Sequence, residues 1–110
     1  MVYDEHLAAR IRELLRGKRG VTEKRMFGGL AFLLHGNMAI AASGKGGLLV
    51  RVDPDEFEAL LKKPHVGRMV MGGRRMTGWL RVDDEGVRTK RQLESWVKRG
   101  VTYASSLPRK

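Results

Sequence analysis

Apolar residues near the amino terminus of the chain recur at helical spacing. Neighbouring members of the set are three or four residues apart, which places them on one side of an α-helix; the set is Tyr3, Leu7, Ile11 and Leu14. The pattern predicts an amphipathic helix over about residues 3–16. Gly17 follows it, and glycine readily adopts the left-handed conformation that ends many helices.

Three apolar segments follow, at residues 22–34, 37–43 and 48–52. We interpret each as a β-strand. The links between them are short and contain glycine, at His35-Gly36 and at residues 44–47, and glycine tolerates the positive φ of tight turns. Short links between consecutive strands predict antiparallel pairing.

The second half of the chain predicts a helix, two strands and a final helix. Asp53 is a suitable N-cap before Pro54, and Glu56 follows it at capping-box spacing. Residues 66–73 and 77–83 have the character of strands, and residues 83–86 that of a loop. Thr89 and Gln92 then form a capping box that begins the last helix.

The predicted order is therefore α-β-β-β-α-β-β-α. Strands grouped in hairpins, with helices between the groups, are typical of a two-layer α+β domain. We predict one antiparallel five-stranded sheet with helices on one face. The chain has 110 residues, which suits a single domain over residues 1–110.

Two adjacent glycines, Gly28 and Gly29, interrupt the first predicted strand. A phosphate-binding loop would lead into a helix and carry a lysine next to a hydroxyl residue, whereas these glycines lead into the strand-like sequence LAFLL. A bulge or bend in one long strand is the interpretation we favour. A related alternative is that a helix packs tightly on the glycine backbone.

The segment Met26-Phe27-Gly28-Gly29 also belongs to a longer pattern. It lies between an amphipathic helix and Asn37-Met38-Ala39, and the pattern continues through LLVRV, the helix capped by Asp53 and a terminal helix ending in ASSLP. In this order the chain resembles the N-terminal domain of the TfoX/Sxy family of bacterial competence regulators. The resemblance implies an α+β fold like that of secretion chaperones, and regulatory or binding work rather than catalysis. The longer regulators of that family continue into a second, helical domain, so the chain resembles the stand-alone, single-domain members.

The charge balance adds a candidate partner. Lysine and arginine number 22 against 12 acidic residues, a formal net charge of +10, and basic domains attract nucleic acid and other polyanions. There is no cysteine, which excludes disulfides and thiolate metal sites. The first residues do not form a signal peptide and no apolar run approaches the length of a membrane span. We therefore expect a cytoplasmic protein with no membrane partner.

Basic residues are concentrated at the carboxyl end. Residues 88–110 contain seven lysines or arginines and one glutamate. A helical face with this charge could follow a phosphate backbone, and a second group on the last hairpin could extend it. The candidate nucleic-acid-binding residues are Arg88, Arg91, Lys98, Arg99, Arg74 and Arg75. The alternative, which the sequence favours slightly, is a solvated helix face with an internal Glu94–Lys98 pair.

No arrangement of residues indicates an active site. No serine lies in a nucleophile elbow, and His6, His35 and His65 lack metal-ligand spacing. We expect no enzyme activity, no catalytic or metal-ligating residues, no cofactor and no small-molecule substrate. Met69 and Met71 share one strand face, which we interpret as core; an exposed patch that they form with Trp79 would instead indicate a partner surface or dimer interface.

The sequence therefore predicts a non-enzymatic regulatory or binding module that acts through protein–protein contacts, with a protein partner or as a homodimer through an open sheet edge. The alternative is a basic nucleic-acid-binding protein that contacts the phosphate backbone through its C-terminal helix. No helix-turn-helix or aromatic RNA-binding strand is present. Nucleic-acid binding would consequently have little sequence preference.

Overall fold

The structure is a computed structural model, and it describes residues 4–26, 28–71 and 73–109. Its helices are α1 (Glu5–Leu14), α2 (Pro54–Leu60) and α3 (Lys90–Ser105). Its strands are β1 (Val21–Met26), β2 (Gly29–Leu34), β3 (Asn37–Ala42), β4 (Leu48–Arg51), β5 (Val66–Met71) and β6 (Arg74–Val82). A short 3-10 helix, Asp84–Val87, takes the place of the predicted loop before α3.

The strands form one six-stranded sheet in the order β1-β2-β3-β4-β6-β5. Every neighbouring pair is antiparallel, so the predicted α+β class and antiparallel sheet are confirmed. The prediction of five strands is wrong, because residues 22–34 are two strands. The chain reverses after Met26, which pairs with Gly29, and Gly28 has a φ of +73° that suits this tight turn. The predicted bend in one long strand is thus a hairpin.

Gly29 is required by a close approach between strands. A Cβ atom at this position would lie 2.0 Å from the carbonyl oxygen of Ala42 in the neighbouring strand β3. Any side chain larger than hydrogen would therefore collide with backbone atoms. The alternative interpretation of the glycine pair, a helix packed on its backbone, is wrong, because the backbone that approaches Gly29 belongs to strand β3 and the turn after it.

All three helices contribute to one hydrophobic cluster on one side of the sheet. Leu7 and Ile11 come from α1, and Phe57 comes from α2. The contribution of α3 is a stripe at helical spacing: Leu93, Trp96, Val97, Val101 and Ala104. These residues pack on alternate residues of the strands, among them Phe32 and Ile40, which are almost completely buried.

A second, smaller cluster lies on the opposite face of the sheet. Ala31, Ala41 and Leu49 occupy the alternate positions of β2, β3 and β4, and Met69 and Trp79 from the β5–β6 hairpin join them. Met69 is 3% exposed and Trp79 is 9% exposed, so the prediction that Met69 belongs to the core is confirmed. The alternative, an exposed patch of Met69 and Met71 with Trp79, is wrong for Met69 and Trp79, because both side chains are buried in this cluster. The side chain of Met71 lies outside the described residues.

One ion pair joins α1 to the edge strand β1. Arg12 Nε lies 2.7 Å from Glu23 Oε2, and Arg12 Nη2 lies 2.8 Å from Glu23 Oε1, a two-pronged contact. The hydrogen bonds from Arg12, with the attraction of its positive charge, hold the pKa of Glu23 below its ordinary value of 4.5, against the opposing effect of burial.

Glu23→Gln is expected to lower the free energy of unfolding by less than about 1 kcal/mol at pH 7, because both side chains are partly exposed. A lowered folded-state pKa stabilises the fold above the unfolded-state pKa and ceases to do so as pH falls through the folded-state value. The difference between wild type and variant should consequently shrink below pH 4.5. Urea unfolding at a series of pH values measures it. A difference that grows on acidification would contradict the assignment.

Candidate functional site

The final helix presents a polar face to solvent because its ends and its apolar stripe fix its orientation. Thr89 and Gln92 form the predicted capping box: the Thr89 hydroxyl accepts from the Gln92 amide, and the Gln92 side chain accepts from the Thr89 amide. Halfway along, a Cβ at Gly100 would lie 2.7 Å from the carbonyl oxygen of Ala39. The glycine therefore lets α3 lie close against β3.

Two of the predicted nucleic-acid-binding residues, Arg91 and Lys98, lie exposed on this polar face. They are seven residues apart, which places them on one side of α3 with an axial separation of about 10 Å. None of the ion pairs among the described residues includes either one. The Glu94–Lys98 pair expected of a simple solvated face is likewise not among them.

Two other predicted residues, Arg88 and Arg99, are held by carboxylates. Arg88 pairs with Glu85 in the 3-10 helix. Arg99 Nη1 lies 2.9 Å from Glu56 Oε1 of α2, and its guanidinium carbon lies 5.8 Å from the centroid of the Trp96 ring. Glu56, predicted as a capping-box residue of α2, thus joins α2 to α3. The cap of α2 consists of the Asp53 carboxylate, which accepts a hydrogen bond from the backbone amide of Asp55.

The second predicted group, Arg74 and Arg75, lies in a different part of the fold. Their backbones pair with Met71 and Val70 of β5. Both residues precede Trp79, the first residue of β6 that pairs with β4, whereas α3 packs on the strands in the middle of the sheet. The expectation that they extend the basic face of α3 therefore has no support in the element packing.

A groove runs between α3 and the segment that contains α2. We call it the α2–α3 groove, and its cations and helix hydroxyls are Lys63, Arg91, Lys98, Arg99, Ser95 and Thr102. It consists of two adjoining pockets of about 410 Å³ and 310 Å³ that share Ser95 and Arg99. Lys63 was not predicted. The only sequence signal for it is a pair of lysines just before Pro64, where α2 must end.

The two edges of the sheet differ in character. The exposed middle of β1 carries Glu23, Lys24 and Arg25, and charged side chains discourage pairing with another strand. The β5 edge has the sequence VGRMVM. Its one charged side chain, Arg68, lies 3.2 Å from Glu58 and is stacked over the Phe57 ring, while Val70 is 56% exposed. The β5 edge is therefore the less protected of the two.

The glycine segment predicted as a structural motif surrounds the first hairpin. Met26 ends β1, Gly28 lies in the turn and Gly29 begins β2. Phe27 lies outside the described residues. This placement gives the glycines an architectural function, in the turn and in the contact between β2 and β3.

One histidine has a carboxylate neighbour that sequence reasoning did not identify. His65 Nδ1 lies 3.2 Å from Asp83 Oδ1, across 18 residues of chain that return to the same end of the sheet. Within the described ranges, no three histidine, aspartate or glutamate side chains come close enough to hold a metal ion. No helix in those ranges has the length and apolar character needed to cross a membrane.

Residues 13–104 match the family model of the TfoX N-terminal domain. The match includes the last two residues of α1, the whole sheet, α2 and nearly all of α3. No curated protein and no solved structure matches the chain significantly.

Proposed function

The chain belongs to the TfoX N-terminal domain family, and we propose that it is a non-enzymatic regulatory module that acts by binding another protein. The observation that carries this proposal is the outer edge of β5. In the described part of the chain no strand pairs with that side of β5, and its sequence lacks the charges that protect β1.

Binding at a sheet edge uses backbone groups first. An edge strand leaves alternate N–H and C=O groups without partners, and an extended segment of another protein can pair with them as an additional strand. Side chains next to the added strand then determine which sequences fit. Val70 offers the incoming strand an exposed apolar contact, while Arg68 is already held against Glu58.

The charge around this edge favours an acidic partner segment. Lys62 and Lys63 lie in the link that leads into β5 and are exposed. The whole chain carries a net charge of +10, so a second copy would meet electrostatic repulsion that an acidic segment would not. An extended, acidic segment of a regulatory partner is therefore the occupant we propose, and a homodimer through the same edge is the competing outcome.

Val70→Lys is expected to weaken this binding about tenfold or more, because a lysine on an edge strand opposes the addition of another strand. Thr22→Lys is the matched control: it makes the same charge change at an exposed position of the other edge, β1. Immobilised wild type and both variants would be exposed to lysate from the source bacterium, and captured proteins quantified by mass spectrometry. Each candidate partner would then be titrated directly by interferometry.

A partner that binds wild type and Thr22→Lys but not Val70→Lys would support the proposal. Equal binding to all three proteins would refute it. Sedimentation velocity of the purified proteins covers the competing outcome: a dimer that Val70→Lys dissociates would assign the β5 edge to self-association.

A further inference from the structure

Three of the four cations of the α2–α3 groove are not paired with the acidic residues that line it. None of the ion pairs among the described residues includes Lys63, Arg91 or Lys98. The two carboxylates that line the groove have other partners. Asp53 caps α2, and Glu56 forms an ion pair with Arg99, the fourth cation. The groove therefore has an excess of positive charge without competing internal partners.

Cations and hydroxyls alternate along the α3 side of the groove. Arg91, Ser95, Lys98 and Thr102 follow one another at intervals of four, three and four residues, and all four are exposed. The axial separation of about 10 Å between Arg91 and Lys98 equals the rise of about three nucleotides of one strand, measured along the axis of B-form DNA. Lysine, arginine and hydroxyl side chains are common donors to phosphate oxygens.

The side chains that line the groove favour a duplex backbone over unpaired bases. Proteins that bind single strands use exposed aromatic rings on which bases stack. Here Trp96 is 8% exposed and lies under Arg99, and the Tyr103 ring is covered by Arg51. The groove thus offers cations and hydroxyls to phosphates, while a guanidinium group already lies over each of these two rings.

From these observations we propose that the α2–α3 groove binds the phosphate backbone of duplex DNA, with Lys63, Arg91 and Lys98 as the charged contacts and Ser95 and Thr102 as hydrogen-bond donors. Arg88 and Arg99 are not direct contacts, because carboxylates already hold them. The groove adjoins the β5 edge at Lys63, but Val70 does not line the groove, so the two activities can be tested with different residues.

The test is fluorescence anisotropy of a labelled 20-base-pair DNA duplex, titrated with the protein at several salt concentrations between 50 and 200 mM. The groove variant is Arg91→Glu/Lys98→Glu. The matched control is Lys24→Glu/Arg25→Glu, which makes the same change in net charge at two exposed residues of β1. We expect the groove variant to lose about tenfold or more in affinity and the control less than about threefold.

The salt dependence gives a second measurement. Loss of two phosphate contacts should reduce the slope of log affinity against log salt by about 2 in the groove variant. Equal losses in both variants would overturn the proposal, because they would show attraction to net charge alone. Absence of wild-type binding at 150 mM salt would also overturn it, as would tighter binding of a 20-nucleotide single strand.

Two further proteins keep the test decisive. Arg91→Gln/Lys98→Gln and Lys24→Gln/Arg25→Gln repeat the comparison without charge reversal, in case thermal unfolding shows that a reversed variant is not folded.

Val70→Lys should bind the duplex as tightly as wild type. The two predicted results are therefore independent. If Val70→Lys still captured the partner, only the proposal for the β5 edge would be contradicted; if the groove variant still bound DNA, only the proposal for the α2–α3 groove would be contradicted.

Discussion

Gly29→Ala is expected to destabilise the domain by about 3 kcal/mol, near the upper end of the range for overpacking a buried position. The added Cβ would lie 2.0 Å from the carbonyl oxygen of Ala42 and 3.0 Å from the amide nitrogen of Gly44. Both are backbone atoms of β3 and the turn that follows it. They can move only if the pairing of β2 with β3 is disturbed, and that pairing lies within the main hydrophobic cluster.

Urea unfolding measures the effect, and the midpoint should fall by about 2 M. Gly28→Ala is the matched control, because it adds the same methyl group to the preceding glycine. Among the described residues other than its chain neighbours, no atom lies within 4 Å of the added Cβ there. The cost arises from the φ of +73°, which is about 1 kcal/mol for alanine. If Gly28→Ala were the more destabilising of the two, the close contact between Gly29 and β3 would be wrong.

Gly100→Ala is expected to destabilise the domain by about 1–2 kcal/mol, although helix propensity taken alone predicts a gain of about 1 kcal/mol. The added Cβ would lie 2.7 Å from the carbonyl oxygen of Ala39 and 2.9 Å from Cγ2 of Ile40. Helix α3 would have to move away from β3, and contacts of its apolar stripe would loosen along several turns. This packing cost exceeds the gain in propensity.

Thermal unfolding should show a lower midpoint for Gly100→Ala by roughly 4–15 °C. Thr102→Ala is the control within the same helix, because Thr102 is exposed and its replacement changes propensity without changing packing. It should raise stability by a few tenths of a kcal/mol. A Gly100→Ala protein that is as stable as Thr102→Ala would contradict the close approach of α3 to the sheet.

Several local features of the site could be predicted from the sequence. The capping box of Thr89 and Gln92 and the exposed positions of Arg91 and Lys98 depend on residues within one or two helical turns, so the helical pattern was sufficient to predict them. The pairing of Arg99 with Glu56 joins residues 43 positions apart, and no local pattern indicates it. For the same reason Lys63 was not predicted to share a groove with α3, and the packing of the elements gives no support for grouping Arg74 and Arg75 with it.

The sequence by itself determined the element types and most of their limits, because helix periodicity, caps and short glycine turns involve neighbouring residues. It also determined the family, through the order of motifs from α1 to α3. Only the tertiary structure decided that residues 22–34 form a hairpin, that β6 lies between β4 and β5, and that the sheet has a second buried face. These features depend on contacts between residues far apart in the chain. Glycine illustrates the difference: one Gly-Gly sequence is compatible with a bend or a reversal, and the packing of β1 and β3 against β2 selects the reversal.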